Sequence, residues 1–397
     1  MLFRLTLVLL FTLNSAIASR QPTPKAGVWR FELKYPGVSI PFLMELEPGK
    51  RGWQATLING KERIEINEIR ASKGKWIIPL GTYQNYLEFT AISPNSIRGA
   101  FVKTNRTPEE RIPIQGRPGA FRRFDGPVKK SDIQLSGKWS MEMIDSSGNK
   151  TEAVLLLDQS GSSLNASIMT KTGDYRYIDG YVSGSNFETA AFDGVFNFVF
   201  RGKLEGKQLA GEMVGKSVTK FTAYRNEKAT LPDPTKQTQV EAIEFSFPTT
   251  DGKTVSLADY KGKPVIIQIF GSWCPNCIDE LGFLGPWYEK NKSRGIEVVA
   301  LSFEYALTPE DARKHLAMVV KKRAIPYPVL LAGTSKDDSP ANKLPGIKNF
   351  ISFPTTIFLD KKHQVFKVHA GFNGPGTGLY FDEFKTMFEK TINDLLD

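Results

Sequence analysis

Trp273-Cys274-Pro275-Asn276-Cys277 holds the two cysteines of a 397-residue chain. It follows directly on the apolar run Val265-Ile266-Ile267-Gln268-Ile269-Phe270. A strand that delivers C-x-x-C to the start of a helix builds a reactive dithiol. The helix N-terminus offers partial positive charge and unpaired N–H groups, which ease formation of a thiolate. The second thiol lies one turn on, within reach of a disulfide. Structural stapling is a poor explanation, because closing so short a loop removes little chain entropy. A zinc site needs more: no second C-x-x-C exists, and His315, His363 and His369 lie at no ligand-like spacing from the pair. The residues therefore call for no metal and no cofactor.

The chain opens with Arg4, an apolar stretch Leu5–Leu13 and Ala16-Ile17-Ala18. This reads as a secretory signal over residues 1–18 with cleavage near Ala18. The alternative, a membrane anchor, asks for about 20 apolar residues. The expectation is an exported protein, periplasmic in a diderm bacterium.

Charge is uneven. Residues 1–240 carry 33 Lys+Arg against 23 Asp+Glu, and residues 241–397 carry 19 against 19, so the whole excess of +10 is N-terminal. Arg117, Arg122, Arg123, Lys129 and Lys130 gather in a Gly/Pro-containing connector. They read as a solubilising surface or as a patch for an acidic partner or anionic membrane. No basic motif interleaved with aromatics supports nucleic acid.

The N-terminal part reads as a duplication. Trp29-Arg30-Phe31-Glu32-Leu33 matches Trp139-Ser140-Met141-Glu142-Met143 at an offset of 110, and Ser96–Phe101 resembles Gln208–Met213 at 112. Period-two alternation, as in Phe42–Leu46, Ile64–Asn67 and Phe196–Phe200, is broken by turn signals every 8–15 residues. That pattern predicts antiparallel strands with one buried face, in two β repeats over 27–124 and 132–226, each a small barrel or sandwich. The G-x-W tryptophans are expected to plug the cores. A Pro-containing polar linker spans 227–240. Beyond it strands alternate with helices: Val265–Phe270, a helix Cys274–Asn291 containing Pro286, Ile296–Ser302, a helix Pro309–Lys322, Val329–Leu331, a hairpin of Thr355–Leu359 and Val365–Ala370, and a helix Phe381–Leu396. This order implies an α/β unit with helices on both faces of the sheet.

Residues 241–397 resemble the thioredoxin-fold thiol–disulfide oxidoreductases of the TlpA/ResA-like group. The resemblance rests on Phe247-Pro248 with Asp251–Leu257, on Lys261-Gly262-Lys263-Pro264, on the C-x-x-C, and on Phe353-Pro354-Thr355-Thr356. It implies an exposed attacking Cys274, a resolving Cys277, an aromatic platform at Trp273 and a cis-Pro354 loop. In that loop Phe353 and Pro354 would align a partner's backbone. Glu280, three residues after Cys277, matches a family glutamate and is the candidate proton carrier; the plainer reading is a solvated helix-start acid. Gln268 stands where thioredoxin has a buried aspartate, and Gly282 where the family often has proline. The resemblance implies a protein disulfide or dithiol as substrate, a membrane electron donor and a reductant's direction. Two other readings compete. A peroxiredoxin-like peroxidase needs a threonine at position 271, which is Gly271. In the other, the β repeats are a binding module and the redox domain an accessory.

Overall fold

A computed structural model describes residues 22–397 except 51, 73, 105–107, 120–121, 237, 306–307 and 335–337. The expected signal segment lies outside the described residues. Among those described, no helix is long and apolar enough to cross a membrane.

The alternation in the N-terminal half folds into two all-antiparallel sheets of nine strands. The first runs from an edge at Glu62–Ile66, through Val38–Gly49, Gly27–Tyr35 and Glu110–Pro118, to a second edge at Arg70–Ser72. Among the described residues no ladder joins those edges, so this sheet is a half-barrel. The second sheet follows the same order but closes, because Ser163–Thr170 pairs with both Lys150–Ser160 and Ile178–Ser183. Trp29 and Trp139 occupy the same place in their sheets. Each is buried and each donates its indole N–H four residues back, to Lys25 O (2.7 Å) and Leu135 O (3.0 Å). The expected core role of the G-x-W tryptophans is what is seen.

The half-barrel does not complete its own core. Phe192, Ala190 and Val199, from the outer wall of the barrel, belong to the packed cluster of Trp29, Phe42 and Phe101. Phe192 stacks on Phe42 at 4.1 Å and meets Phe101 edge-on at 5.3 Å. Asn59 donates to Phe192 O (3.0 Å) and Asn85 to Gly194 O (2.7 Å), so the seam carries polar links as well as apolar contact. The barrel interior is filled by Trp139, Phe187, Phe200 and Phe221.

The connector is not a single basic patch. Arg123 is buried, pairs with Asp179 and donates to Pro41 O (3.2 Å), Ile58 O (2.7 Å) and Asn59 Oδ1 (3.1 Å). Arg117 pairs with Asp125, and Lys129 and Lys130 stay exposed. The 227–240 segment is likewise seated: Ala229 is buried with Val154 and Met169, and Leu231 and Tyr380 pack on it.

In the C-terminal domain the sheet order is Val329–Gly333, Glu297–Phe303, Val265–Phe270, Thr355–Leu359, Val365–Ala370, with the first three parallel. The helices are α1 (Pro275–Asn291), α2 (Pro309–Arg323), the short α3 (Pro340–Lys343) and α4 (Leu379–Leu396). The expectation of helices on both faces needs correcting. Ile278 and Leu284 of α1, Leu316 and Val319 of α2, and Phe388 and Ile392 of α4 share one core. Successive parallel strands are added in one direction, and crossovers of the usual right hand place α1 and α2 on the same face. The opposite face is covered by Ile243, Phe245, Val255, Leu257, Leu344 and Ile347, from the entry hairpin and the segment after α3.

Removing Arg123 takes the cation from a partly buried carboxylate and the donor from three acceptors. Arg123→Ala is expected to cost about 3–5 kcal/mol, read as a lower denaturation midpoint. A midpoint equal to wild type would show that the connector merely drapes over the surface.

Candidate redox site

The strand Val265–Phe270 ends where Gly271-Ser272-Trp273 turns into α1, and buried Glu304 holds that turn. Its carboxylate accepts from Ser272 N–H (2.9 Å) and Ser272 Oγ (2.6 Å). Cys274 is the N-cap of α1, and the Cys277 N–H points at its Sγ at 3.2 Å. The two cysteines form a disulfide with their Cα atoms 5.2 Å apart. The exposed Cys274 implied by the resemblance is not what the structure holds. Its relative exposure is 6%, and Cys277 is fully buried. Both lie in the cluster of Phe270, Ile278 and Phe372.

The Phe353–Pro354 peptide is cis, and Phe353 O lies 3.7 Å from Cys274 Sγ. Trp273 donates its indole N–H to Phe303 O (2.9 Å), stacks on Tyr305 at 4.8 Å and meets Phe353 edge-on at 5.3 Å. Trp273, Tyr305 and Phe353 are all at least partly open, so they form an aromatic shoulder beside the sulfurs. Tyr305 carried no signal in the sequence. It follows a strand by two residues and joins the site only because that strand neighbours Val265–Phe270.

Glu280 is 1% exposed, which rules out the solvated reading. Its two oxygens accept from Gln268 Nε2 (2.6 Å) and Thr356 Oγ1 (2.7 Å). Burial pushes its carboxyl up to about 7, against the pull of those two hydrogen bonds. Gln268 Oε1 and the hydroxyl of Tyr327 are buried without hydrogen-bond partners. Burial, with the charge of Glu280 second, holds the Tyr327 phenol up as well. Cys274, Cys277, Trp273, Phe353 and Pro354 are thus brought together around the disulfide. Glu280 sits beneath them, one turn after Cys277 on α1.

One loop of the barrel reaches this helix, and it was not foreseen. The loop around Gly173–Asp174 of the barrel lies against Asn276. Arg176 from the same loop donates to Asp279 Oδ1 at 2.8 Å. Arg176 also pairs with Asp193 at 3.3 Å and with Glu62 of the half-barrel edge. Burial pushes Asp279 up to about 7 although Arg176 pulls the other way.

Residues 238–368 match the model of the AhpC/TSA family. The thiol–disulfide oxidoreductase ResA of Bacillus cereus (strain ZK / E33L) is 30% identical over 125 residues, 32% of this chain and 65% of that protein. The chain therefore spans slightly less than two thirds of that relative. ResA of Bacillus subtilis (strain 168) is 28% identical over 157 residues, 40% of this chain and 73% of the relative. Among solved structures, a putative thiol:disulfide interchange protein DsbE from Chlorobium tepidum is similar at 25% identity. It covers 40% of this chain and 98% of its own, with a TM-score of 0.30. These likenesses cover the C-terminal region.

Because the folded state keeps the Glu280 proton up to about pH 7, it binds more protons than the unfolded chain above the ordinary glutamate range. Stability contributed at this position is therefore present at low pH and lost as pH rises from about 4.5 to about 7. Glu280→Gln should abolish that dependence, and so gain up to about 3 kcal/mol on wild type between the two ends of the window. Denaturation midpoints measured across the window check this. Parallel curves for the two proteins would refute it.

Proposed function

We propose that residues 241–397, which are similar to ResA-type proteins, are a thioredoxin-fold domain of the TlpA/ResA-like kind and that the protein is an exported thiol–disulfide oxidoreductase. It exchanges disulfides with protein partners through Cys274 and Cys277, in the direction of reduction. The observation that carries this reading is the Cys277 N–H aimed at Cys274 Sγ at the start of α1, with Phe353 O 3.7 Å away. In the reduced protein that N–H and the helix N-terminus stabilise a thiolate on Cys274. The thiolate attacks one sulfur of a partner disulfide; a mixed disulfide forms and one partner thiolate leaves. Cys277 then gives up its proton, attacks Cys274 Sγ and releases the second partner thiolate. Two electrons pass to the partner, and the Cys274–Cys277 disulfide forms.

Glu280 is the proposed acceptor for the Cys277 proton. A carboxyl poised near 7 passes protons in either direction at neutral pH. Trp273, Phe353 and Pro354 form the proposed partner-binding edge. Pro354 offers no N–H, so an incoming extended chain meets carbonyl and aromatic surface there. The direction, the export and a membrane electron donor rest on the likeness to ResA-type proteins and on the leader-like residues 1–18.

The peroxidase reading finds a specific obstacle. A Cβ at Gly271 would lie 2.3 Å from Trp273 Nε1 and 2.9 Å from Phe303 O, so the threonine that chemistry needs has no room. The binding-module reading also loses ground, because the barrel interior is occupied by its own aromatic side chains.

Three measurements test the proposal. The first cysteine alkylated in the reduced protein should be Cys274; prior modification of Cys277 reverses the roles. Cys277→Ser should stall the reaction and accumulate a mixed disulfide on Cys274, whereas no trapped partner from an extracytoplasmic extract argues against protein substrates. Glu280→Gln should slow exchange and flatten its pH–rate profile near pH 7, and an unaltered profile removes Glu280 from the chemistry.

A further inference from the structure

The second β-barrel meets the C-x-x-C turn directly. Asn276, between the two cysteines, donates its side-chain N–H to Asp174 O (3.1 Å) and to Asp174 Oδ2 (3.3 Å). The same Oδ2 accepts Gly374 N–H at 2.6 Å, and Oδ1 accepts Arg176 N–H at 2.6 Å. Asp174 is 2% exposed. Each hydrogen bond its oxygens accept comes from an N–H, which favours the ionised form, while burial pushes the carboxyl up. Close approach is built in: a Cβ on Gly173 would sit 2.9 Å from Asn276 Cγ, and one on Gly376 would sit 2.8 Å from Arg176 C. The Gly374 loop is tied in turn to the cis-proline, through Gly371 N–H to Pro354 O at 2.9 Å.

The charges around this point are unevenly matched. Arg176 gives its guanidinium to Glu62, Asp193 and Asp279, while Asp174 accepts its backbone N–H and feels the guanidinium charge, which pulls the Asp174 carboxyl down. From α1 the facing acid is Asp279, and Arg323 of α2 faces Asp279 in turn. Glu304 lies beneath the preceding turn, and His315 of α2 borders the cavity beside Trp273. Asp174 thus adds a negative charge at the helix end where Cys274 must become a thiolate. A like charge disfavours that thiolate and offsets the helix N-terminus. A dithiol whose thiolate form is less stabilised is the stronger reductant.

We propose that Asp174, supplied by the β-barrel, is a positioning residue of the redox centre. It fixes Asn276 within the C-x-x-C turn and makes the Cys274–Cys277 pair more reducing than the thioredoxin-fold domain would be alone. This rests on the oxidoreductase reading and gives the N-terminal half a task in the chemistry.

The test is equilibration of the full-length protein against a dithiol of known potential, with the pH dependence of Cys274 alkylation as second readout. Asp174→Asn should shift the equilibrium about tenfold toward the dithiol form, about 30 mV, and move the alkylation profile to lower pH. Asp174→Glu, which keeps the charge, should stay close to wild type in both. Gly173→Ala keeps the aspartate but pushes its loop off Asn276, and should shift both in the same direction by less. It serves if Asp174→Asn does not fold. Folded Asp174→Asn with wild-type potential and profile overturns the inference, as does an unmoved Gly173→Ala when Asp174→Asn fails to fold. If wild type does not exchange with the reference dithiol at all, the oxidoreductase reading fails instead.

Discussion

The guanidinium of Arg176 is the point on which three parts of the chain converge. It leaves the barrel, meets Asp193 of the barrel itself, Glu62 on the free edge of the half-barrel, and Asp279 on the helix that carries the cysteines. One nearly buried cation facing three acids in low-dielectric surroundings is costly to separate, since each acid left behind is an uncompensated buried charge. The relative placement of the sheets and the redox domain follows from that constraint. The seating of the barrel loop on Asn276 follows from it too. Phe192, filling the half-barrel from outside, and Ala229, buried under the linker, add apolar contacts to the same arrangement.

Much of this was legible in the residues, and the boundary of legibility is physical. Thr355–Leu359 and Val365–Ala370 were read to the residue, because an apolar run, a turn at Asp360 and a second run leave little choice of register. The grouping at the candidate site was legible wherever the residues are close in sequence or carried by a known motif: Cys274, Cys277, Trp273, Phe353 and Pro354. Glu280 was legible as a position one turn beyond Cys277. Its burial was not, because that is decided by Gln268 and Thr356 across the sheet. Asp174 and Arg176 were invisible. Gly173-Asp174-Tyr175-Arg176 reads as an ordinary turn, and its partners on α1 stand 102 and 103 positions further on.

The same limit explains two readings that needed correction. An exposed Cys274 holds for a helix start open to solvent; here Phe270, Ile278 and Phe372 pack into one cluster with it. Helices on both faces hold when strands are added on both sides of a starting strand. Here Val265–Phe270, Glu297–Phe303 and Val329–Gly333 advance one way only.

The unclosed edge of the half-barrel has a consequence of its own. Among the described residues Glu62–Ile66 presents a strand that no neighbouring ladder completes, the kind of surface on which other chains stack into aggregates. Its sequence alternates Glu62, Arg63, Ile64, Glu65 and Ile66, so charged side chains interrupt the row. One of them, Glu62, is also committed to Arg176. The tether that keeps the barrel against the redox helix therefore doubles as a guard against self-association. Loosening it would expose the chain to sticking to its own copies.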